Sequence, residues 1–325
     1  MKYWILALLA ALSLTLNGCG VQKLPEYVPD TMGETMEDTV TPSEIIIAET
    51  WETEPVQTVP QETTEQTIPV PEEIPEQPEP EDADFVRMTD YLDGILVELK
   101  YAAQDNFTGQ VIYEFQDAYL RYGTVKKLLL VQNELADYGF RLKIWDGFRP
   151  VSAQFTLWEV CPDPTYVANP EKGYSSHSRG NTVDLTLVYE DGGEVEMPTG
   201  FDDFSAMADR DYSDCPEEAA GNAQLLQQVM EKHGFKGYFG EWWHFSDTES
   251  YPVEETFQPV AAAKYYADCN EYINLRTRAD ASSESLTQIP AGEEFLILAH
   301  CGDFALADYN GLRGYVHRGF IQPVK

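Results

Sequence analysis

Basic residues are scarce in this chain of 325 residues. Lys and Arg together number 21 against 56 Asp and Glu, which gives a formal net charge of -35 at pH 7. A surface with this balance repels phosphate groups, so nucleic acid and anionic membrane surfaces are disfavoured as electrostatic partners. The length is sufficient for two domains.

Cysteine is sparse as well, and no pair has the CxxC spacing of a thiolate metal site. Apart from Cys19, the cysteines are Cys161, Cys215, Cys269 and Cys301. An exported protein can form disulfides, and the pairs Cys161–Cys215 and Cys269–Cys301 would each lie within one predicted domain. Because spacing does not fix connectivity, these pairings are a hypothesis.

The N-terminus contains an apolar run, residues 5–16, that is too short to span a bilayer comfortably. Lys2 precedes it, and Leu16-Asn17-Gly18-Cys19 follows, which resembles a bacterial lipobox. We therefore expect residues 1–19 to be a lipoprotein signal peptide, with Cys19 lipidated at the outer face of the bacterial cell membrane. An ordinary cleaved signal peptide is the alternative, and both predict export.

Residues 20–84 are rich in Pro, Thr and Glu and contain almost no basic residues. Such a composition cannot bury enough apolar surface to offset chain entropy. Proline and like charges extend the chain. We expect a disordered acidic linker between the lipid anchor and the folded part.

Residues 85–255 predict an interleaved set of strands and helices. The predicted strands cover 94–101, 141–145, 182–189 and 237–246, and the predicted helices cover 125–138, 151–160 and 222–233. No regular βαβ repeat is present, so we expect an α+β fold with a mixed or antiparallel sheet flanked by helices. Residues 262–325 carry short strand signals separated by turn residues, which predicts a small all-β barrel.

Two short segments carry candidate metal ligands. The segment SSHSRGNTVD contains His177 and Asp184, and EWWH contains Glu241 and His244. A catalytic zinc takes three protein ligands and leaves one position open. His177 and Asp184 are an odd number of residues apart, so they converge only if the chain bends, for which Gly180 is available. Glu241 and His244 lie in a segment of β composition, which requires a local kink and excludes a helical HExxH site.

We expect the remaining histidines to have structural roles. His233 lies at the end of a predicted helix, where a cation suits the helix dipole, and His300 and His317 lie in the predicted barrel.

The segments WDGFRP, SSHSRGNTVDLTL and EWWHF, in that order, resemble the VanX-type D-alanyl-D-alanine dipeptidases, which are zinc enzymes related to D,D-carboxypeptidases. YAAQDNFTG and MPTGFDDF add to the resemblance, which covers roughly residues 85–255.

This resemblance implies His177, Asp184 and His244 as ligands of one Zn²⁺. It implies Glu241 as general base and acid, and Arg149 as the group that stabilises the tetrahedral oxyanion.

The resemblance also implies that Ser175, Asp202 and Tyr101 hold the charged ends of a small D-amino-acid peptide. An anionic Asp202 suits the substrate ammonium, and Ser175 can donate a hydrogen bond to its carboxylate.

The expected function is zinc-dependent hydrolysis of D-Ala-D-Ala or a similar small peptide derived from peptidoglycan. Two alternatives remain open: a D,D-carboxypeptidase acting on stem peptides, and a non-catalytic lipoprotein that binds the cell wall.

The C-terminal segments YINLRTRADASSESLTQIPAGEEF and GLRGYVHRGFI resemble a bacterial SH3-like domain. The resemblance implies binding to peptidoglycan, although Phe304 and Ala305 stand where that family commonly has an aromatic residue such as Trp. A packing or spacer module is the alternative.

Overall fold

The computed structural model describes residues 75–164 and 166–325. The predicted signal peptide, Cys19 and most of the predicted linker lie outside these residues. The last part of the predicted linker is described: Gln77 exchanges hydrogen bonds of 3.2 and 2.6 Å with the backbone of Arg313. Among the described residues, no helix is both long enough and apolar enough to cross a bilayer.

The larger part of the described chain contains ten strands and helices. They are β1 (Phe85–Arg87), β2 (Leu96–Val97), β3 (Tyr119–Arg121), α1 (Tyr122–Ala136), β4 (Phe140–Asp146), α2 (Val151–Val160), β5 (Thr182–Tyr189), α3 (Glu217–Lys232), β6 (Phe235–Tyr238) and β7 (Glu241–Asp247). Five strands form one sheet in the order β2-β4-β5-β7-β6. Only β2 runs parallel to its neighbour, so the predicted mixed sheet of an α+β fold is confirmed.

Several elements lie where the sequence predicts them, and nearby residues explain where they begin or end. Helix α2 and strand β5 have the predicted bounds. Gly139 and Gly234 follow α1 and α3 with φ of 79° and 90°, the left-handed conformation that ends helices. Helix α3 begins five residues before its predicted start, directly after Pro216, and two glutamates in its first turn suit the helix dipole.

Two strand predictions are wrong. The strand predicted over 94–101 is reduced to Leu96–Val97, and a 3-10 turn at Lys100–Ala102 buries Tyr101 instead. The single strand predicted over 237–246 is a hairpin of β6 and β7.

The core lies between the sheet and the helices α1 and α3, which contact each other as well as the sheet. Its fully buried members include Leu128, Leu135, Leu185, Leu226 and Trp242. Burying one large apolar side chain stabilises the fold by roughly 1.5–3 kcal/mol. This packed layer therefore fixes the strand ends that carry the polar residues described below.

The C-terminal part is an antiparallel sheet of seven strands. They are β8 (Phe257–Ala267), β9 (Tyr272–Arg276), β10 (Ser285–Pro290), β11 (Glu294–Cys301), β12 (Phe304–Tyr309), β13 (Leu312–His317) and β14 (Ile321–Pro323). Their order is β10-β9-β13-β12-β11-β8-β14. The expected small all-β unit is confirmed.

The predicted disulfides are wrong, because all four cysteines in the described residues carry free thiols. Cys161 and Cys215 pack against the core of the larger part. Cys269 and Cys301 pack against two different hydrophobic clusters, so they do not meet as a pair.

An aromatic cluster joins the two parts behind the loop that follows β4. The ring of Phe257 stacks on Phe85 with centroids 4.4 Å apart and lies 5.6 Å from Phe148. Leu298 and Leu306 of the barrel complete the cluster. Phe148 immediately precedes Arg149, so the barrel packs directly behind a predicted catalytic residue.

Candidate active site

Three adjacent strands place polar residues side by side across the sheet. Asp146 of β4 pairs with Asp184 of β5, and Asp184 pairs in turn with His244 of β7. Cross-strand partners lie about 4.5–5.5 Å apart at Cβ, so the register alone brings these groups together.

A bend at Gly180 brings His177 to the same place. His177 lies on a 3-10 turn, Ser176–Arg179, and Gly180 ends the turn with φ of 74° before β5 begins. A Cβ at Gly180 would overlap the ring of Phe85, so glycine is required by space as well as by conformation. The Ser175 hydroxyl accepts a hydrogen bond of 3.3 Å from the His177 backbone N–H. The predicted bend is therefore confirmed.

The side chains of His177, Asp184 and His244 converge. Their candidate ligand atoms all lie within 4.8 Å of one another. His177 Nε2 lies 3.3 Å from His244 Nδ1 and 3.3 Å from Asp184 Oδ2, and Asp184 Oδ1 lies 3.0 Å from His244 Nδ1. Ligand atoms about 2.0–2.1 Å from a tetrahedral zinc would be separated by about 3.3 Å, so this spacing fits such an ion.

The chemistry of these three residues also fits a cation. Asp184 Oδ1 is buried and accepts no well-formed hydrogen bond. His177 Nδ1 lies 2.8 Å from the backbone carbonyl of Gly147, a contact that leaves Nε2 facing Asp184. Burial opposes ionisation of Asp184, but the two imidazoles outweigh burial and hold the pKa of its carboxyl well below the usual range.

Glu241 lies beside this cluster, with Oε2 3.5 Å from His244 Nδ1. The predicted kink is present, because the β6–β7 register shifts between the pairs Gly237↔Phe245 and Tyr238↔Glu241. Burial raises the pKa of the Glu241 carboxyl, and nearby Asp184 adds to the rise against the opposing effect of His244. A carboxylate with a raised pKa is a better proton acceptor at neutral pH.

Arg149 is buried and held in one orientation. Its Nε and Nη2 donate to Asp146 Oδ2 at 3.0 and 2.6 Å, and its Nη1 donates to Gln154 at 3.0 Å. The other Asp146 oxygen accepts from the Tyr113 hydroxyl at 2.8 Å. Asp146 also lies 3.6 Å from His177 Nδ1, so it links the arginine to the candidate metal ligands. Sequence reasoning missed Asp146, Gln154 and Tyr113; the aspartate three residues before Arg149 in WDGFRP was the available signal.

Tyr101 and Asp202 form a pair across the loop after β5. The Tyr101 hydroxyl donates to Asp202 Oδ2 at 2.8 Å, and the Arg149 guanidinium lies 5.0 Å from the Tyr101 ring centroid. Asp202 has φ of 54°, an uncommon conformation for a non-glycine residue that recurs at functional sites. Burial raises the pKa of Asp202 to about 8.

The structure thus brings seven of the predicted site residues into one connected group, and Ser175 caps the turn that carries His177. The other histidines lie elsewhere: His233 Nε2 is 2.6 Å from Glu134 at the end of α3, and His300 and His317 belong to the barrel. The roles assigned to individual residues stay predictions.

Known proteins match the same part of the chain. A family model described as D-Ala-D-Ala dipeptidase, of the M15 peptidases, matches residues 81–263, and a bacterial SH3 domain model matches residues 271–322. The D-alanyl-D-alanine dipeptidase of Escherichia coli (strain K12) is 39% identical over 159 residues, 48% of this chain and 82% of that relative. The D-alanyl-D-alanine dipeptidase of Enterococcus faecalis (strain V583) is 35% identical over 189 residues, 52% of this chain and 94% of that relative.

A relative of the same name from Streptomyces coelicolor is 34% identical over 198 residues, 54% of this chain and 96% of that relative. The peptidase model covers more than half of the 325 residues, and the segment that it matches contains every member of the site described above. The chain therefore belongs to the D-Ala-D-Ala dipeptidase family of M15 metallopeptidases and carries a bacterial SH3 domain after its peptidase domain.

Proposed function

We propose that this protein hydrolyses D-Ala-D-Ala, or a similar small peptide derived from peptidoglycan, with one Zn²⁺ per peptidase domain. The observation that carries the proposal is the convergence of His177, Asp184 and His244 beside the carboxylate of Glu241. Two imidazoles and one carboxylate are a ligand set of catalytic zinc, and they leave a position open.

When bound, zinc supplies Lewis-acid chemistry: it lowers the pKa of water and polarises a carbonyl. Glu241 accepts the proton from the attacking water and returns it to the leaving amine. Arg149, fixed by Asp146 and Gln154, presents a guanidinium to the negative charge that develops on the scissile carbonyl oxygen. Because Arg149 is preorganised by two buried partners, it needs little reorientation during the reaction.

The pair of Tyr101 and Asp202 suits the ammonium end of a dipeptide. The Asp202 carboxyl is within hydrogen-bond distance of the Tyr101 hydroxyl and close enough to Asp184 and Glu241 for their negative charges to raise its pKa. An incoming ammonium stabilises the ionised form of this carboxyl. Ser175 remains the proposed donor to the substrate carboxylate.

We further propose that the protein acts at the outer face of the bacterial cell membrane, held by a lipid on Cys19 and extended by the acidic linker. The bacterial SH3 domain is consistent with an additional contact to peptidoglycan. An exported enzyme of this kind suits wall turnover or scavenging of peptides released from the wall.

A substrate panel tests the proposed activity. The purified full chain, loaded with zinc, is incubated with D-Ala-D-Ala, L-Ala-D-Glu, a stem pentapeptide and muropeptides, and released amino acids are measured. We expect release of D-Ala from D-Ala-D-Ala at the highest kcat/KM. Preference for the pentapeptide would identify a D,D-carboxypeptidase, and peptidoglycan binding without hydrolysis of any substrate would identify a binding protein.

A further inference from the structure

The hairpin that carries Glu241 and His244 is irregular at the active site. One step along β6, from Gly237 to Tyr238, corresponds to four steps along β7, from Phe245 back to Glu241. This bulge turns Glu241 and His244 toward the same cluster, but it interrupts the hydrogen-bond ladder between the two strands. The bulged conformation therefore requires other donors for its backbone carbonyls.

Arg210, from the loop before α3, supplies those donors. Its Nη2 donates to the backbone carbonyl of His244 at 2.9 Å, and its Nε donates to the carbonyl of Tyr238 at 2.8 Å. Its own backbone N–H donates to the carbonyl of Phe239 at 2.9 Å. One residue thus bonds to both strands and to the turn that connects them.

The surroundings of Arg210 hold its guanidinium in this place. The guanidinium carbon lies 4.3 Å from the ring centroid of Phe245. Gly237 leaves the space that the guanidinium fills, because a Cβ at this position would overlap Cζ, Nε and Nη2 of Arg210. Glycine in a strand interior commonly marks such a close approach.

We infer that Arg210 is a positioning residue, which holds the β6–β7 hairpin in the bulged form that directs Glu241 and His244 at one metal ion. The inference rests on the proposed zinc-dependent hydrolysis. Lysine is not an equivalent residue, because the planar guanidinium reaches two carbonyls on different strands whereas an ammonium is a single point charge on a flexible stem.

The test compares Arg210→Lys and Arg210→Gln with the wild-type full chain. Zinc affinity is measured by competition with a chromophoric chelator, and kcat and KM for D-Ala-D-Ala are measured at saturating zinc. Since residues that orient metal ligands typically change metal affinity or activity by about 10- to 100-fold, we expect weaker zinc binding and a lower kcat of that order. KM should change little, because Arg210 is not proposed to touch the substrate.

Two further variants separate positioning from general stability. Gly237→Ala displaces the same guanidinium without altering it and should weaken zinc binding in the same direction. Arg276→Gln removes a comparable hydrogen bond, 2.7 Å to the carbonyl of Ser283, within the barrel and should leave zinc affinity and kcat unchanged.

Two results would overturn the inference in distinguishable ways. If the wild-type chain binds zinc and hydrolyses the dipeptide while the Arg210 and Gly237 variants stay within twofold of it in zinc affinity and kcat, only the positioning role is wrong. If the wild-type chain itself binds no zinc, the proposed function is wrong and the positioning role is wrong with it.

Discussion

His177 Nε2 and His244 Nδ1 lie 3.3 Å apart although the two residues are separated by 67 positions in the chain. Two imidazole lone pairs repel at this distance unless a proton or a cation lies between them. Asp184, the cross-strand partner of His244, contributes its carboxylate to the same point. A divalent cation satisfies all three groups at once, whereas a single proton satisfies only one pair.

The ligand assignment predicts that His244→Ala removes the metal. Two remaining ligands are too few for a stable zinc site, so elemental analysis of the purified variant should find zinc well below one per chain. His233→Ala is the matched control, since His233 pairs with Glu134 at the end of α3. Full zinc occupancy in His244→Ala would count against the ligand set.

The assignment of Glu241 as base predicts that Glu241→Gln retains zinc but loses roughly 10²- to 10⁴-fold in kcat. The amide has a similar shape but cannot accept a proton, so the loss should appear in turnover rather than in metal content. The exposed Glu190→Gln serves as the control. Turnover by Glu241→Gln at the wild-type rate would remove Glu241 from the mechanism.

The buried pair of Asp146 and Arg149 predicts a cost in both stability and rate. Asp146→Asn leaves the guanidinium without its anionic partner, which should lower the free energy of unfolding by about 3–5 kcal/mol. Asp146→Asn should also lower kcat, because the Arg149 guanidinium is no longer held in one orientation. Arg149→Ala removes the guanidinium and should lower kcat on the order of 10²- to 10³-fold. Urea denaturation and steady-state kinetics measure the two effects.

A surface pair provides the comparison for this prediction. Asp117 lies 3.7 Å from Arg87 and is partly exposed to solvent. Asp117→Asn should change the free energy of unfolding by less than about 1 kcal/mol. Equal effects of the two substitutions would contradict the account of Arg149 as a residue fixed by a buried carboxylate.

Asp202 predicts a pH-dependent contribution to stability. Burial raises its pKa to about 8 in the folded protein, whereas an unfolded carboxyl ionises near its ordinary value of 3.8. The folded chain keeps this proton at pH values where the unfolded chain has released it. Protonated Asp202 therefore stabilises the folded protein fully below about pH 4. This stabilisation is lost as the pH rises to about 8.

The substitution Asp202→Asn removes this contribution. The fall in Tm between pH 5 and pH 8 should be smaller in the variant than in the wild type. Asp203→Asn, on an exposed neighbour, is the matched control. An identical fall in the wild type and in Asp202→Asn would show that Asp202 does not retain its proton in the fold.

The aromatic cluster predicts that the barrel and the peptidase domain stabilise each other. Phe257 is 3% exposed and stacks on Phe85, so Phe257→Ala should lower the free energy of unfolding by about 3–5 kcal/mol. Phe320 is 52% exposed, and Phe320→Ala should stay within about 0.5 kcal/mol of the wild type. Similar effects of both substitutions in urea denaturation would contradict this packing.

Local signals explain which elements were predictable from the sequence. Helix α2 follows Pro150, and β5 alternates Val183, Leu185 and Leu187 with polar residues, so the bounds of each element are set by its own residues. The segment 94–101 alternates like a strand, but Tyr101 is turned inward to meet Asp202, a residue 101 positions away. The bulge between β6 and β7 is bridged by Arg210, which lies 28 residues from Tyr238 in the sequence.

The same distinction applies to the site. The family resemblance implied the ligands and Arg149, but the position of Asp146 in WDGFRP does not by itself show that this carboxylate holds the guanidinium. Its signal is an aspartate at the end of a strand, and its effect depends on burial and on Tyr113. The disulfide prediction failed for a similar reason, because two cysteines within one predicted domain need not be close together in space.

The most direct test of zinc-dependent dipeptide hydrolysis is a titration of the metal-free full chain with Zn²⁺ in the presence of D-Ala-D-Ala. Chelation should abolish release of D-Ala, and added zinc should restore it in proportion until one ion is bound per chain. Hydrolysis that continues in the metal-free protein, or a zinc-loaded chain that releases no D-Ala, would contradict the account.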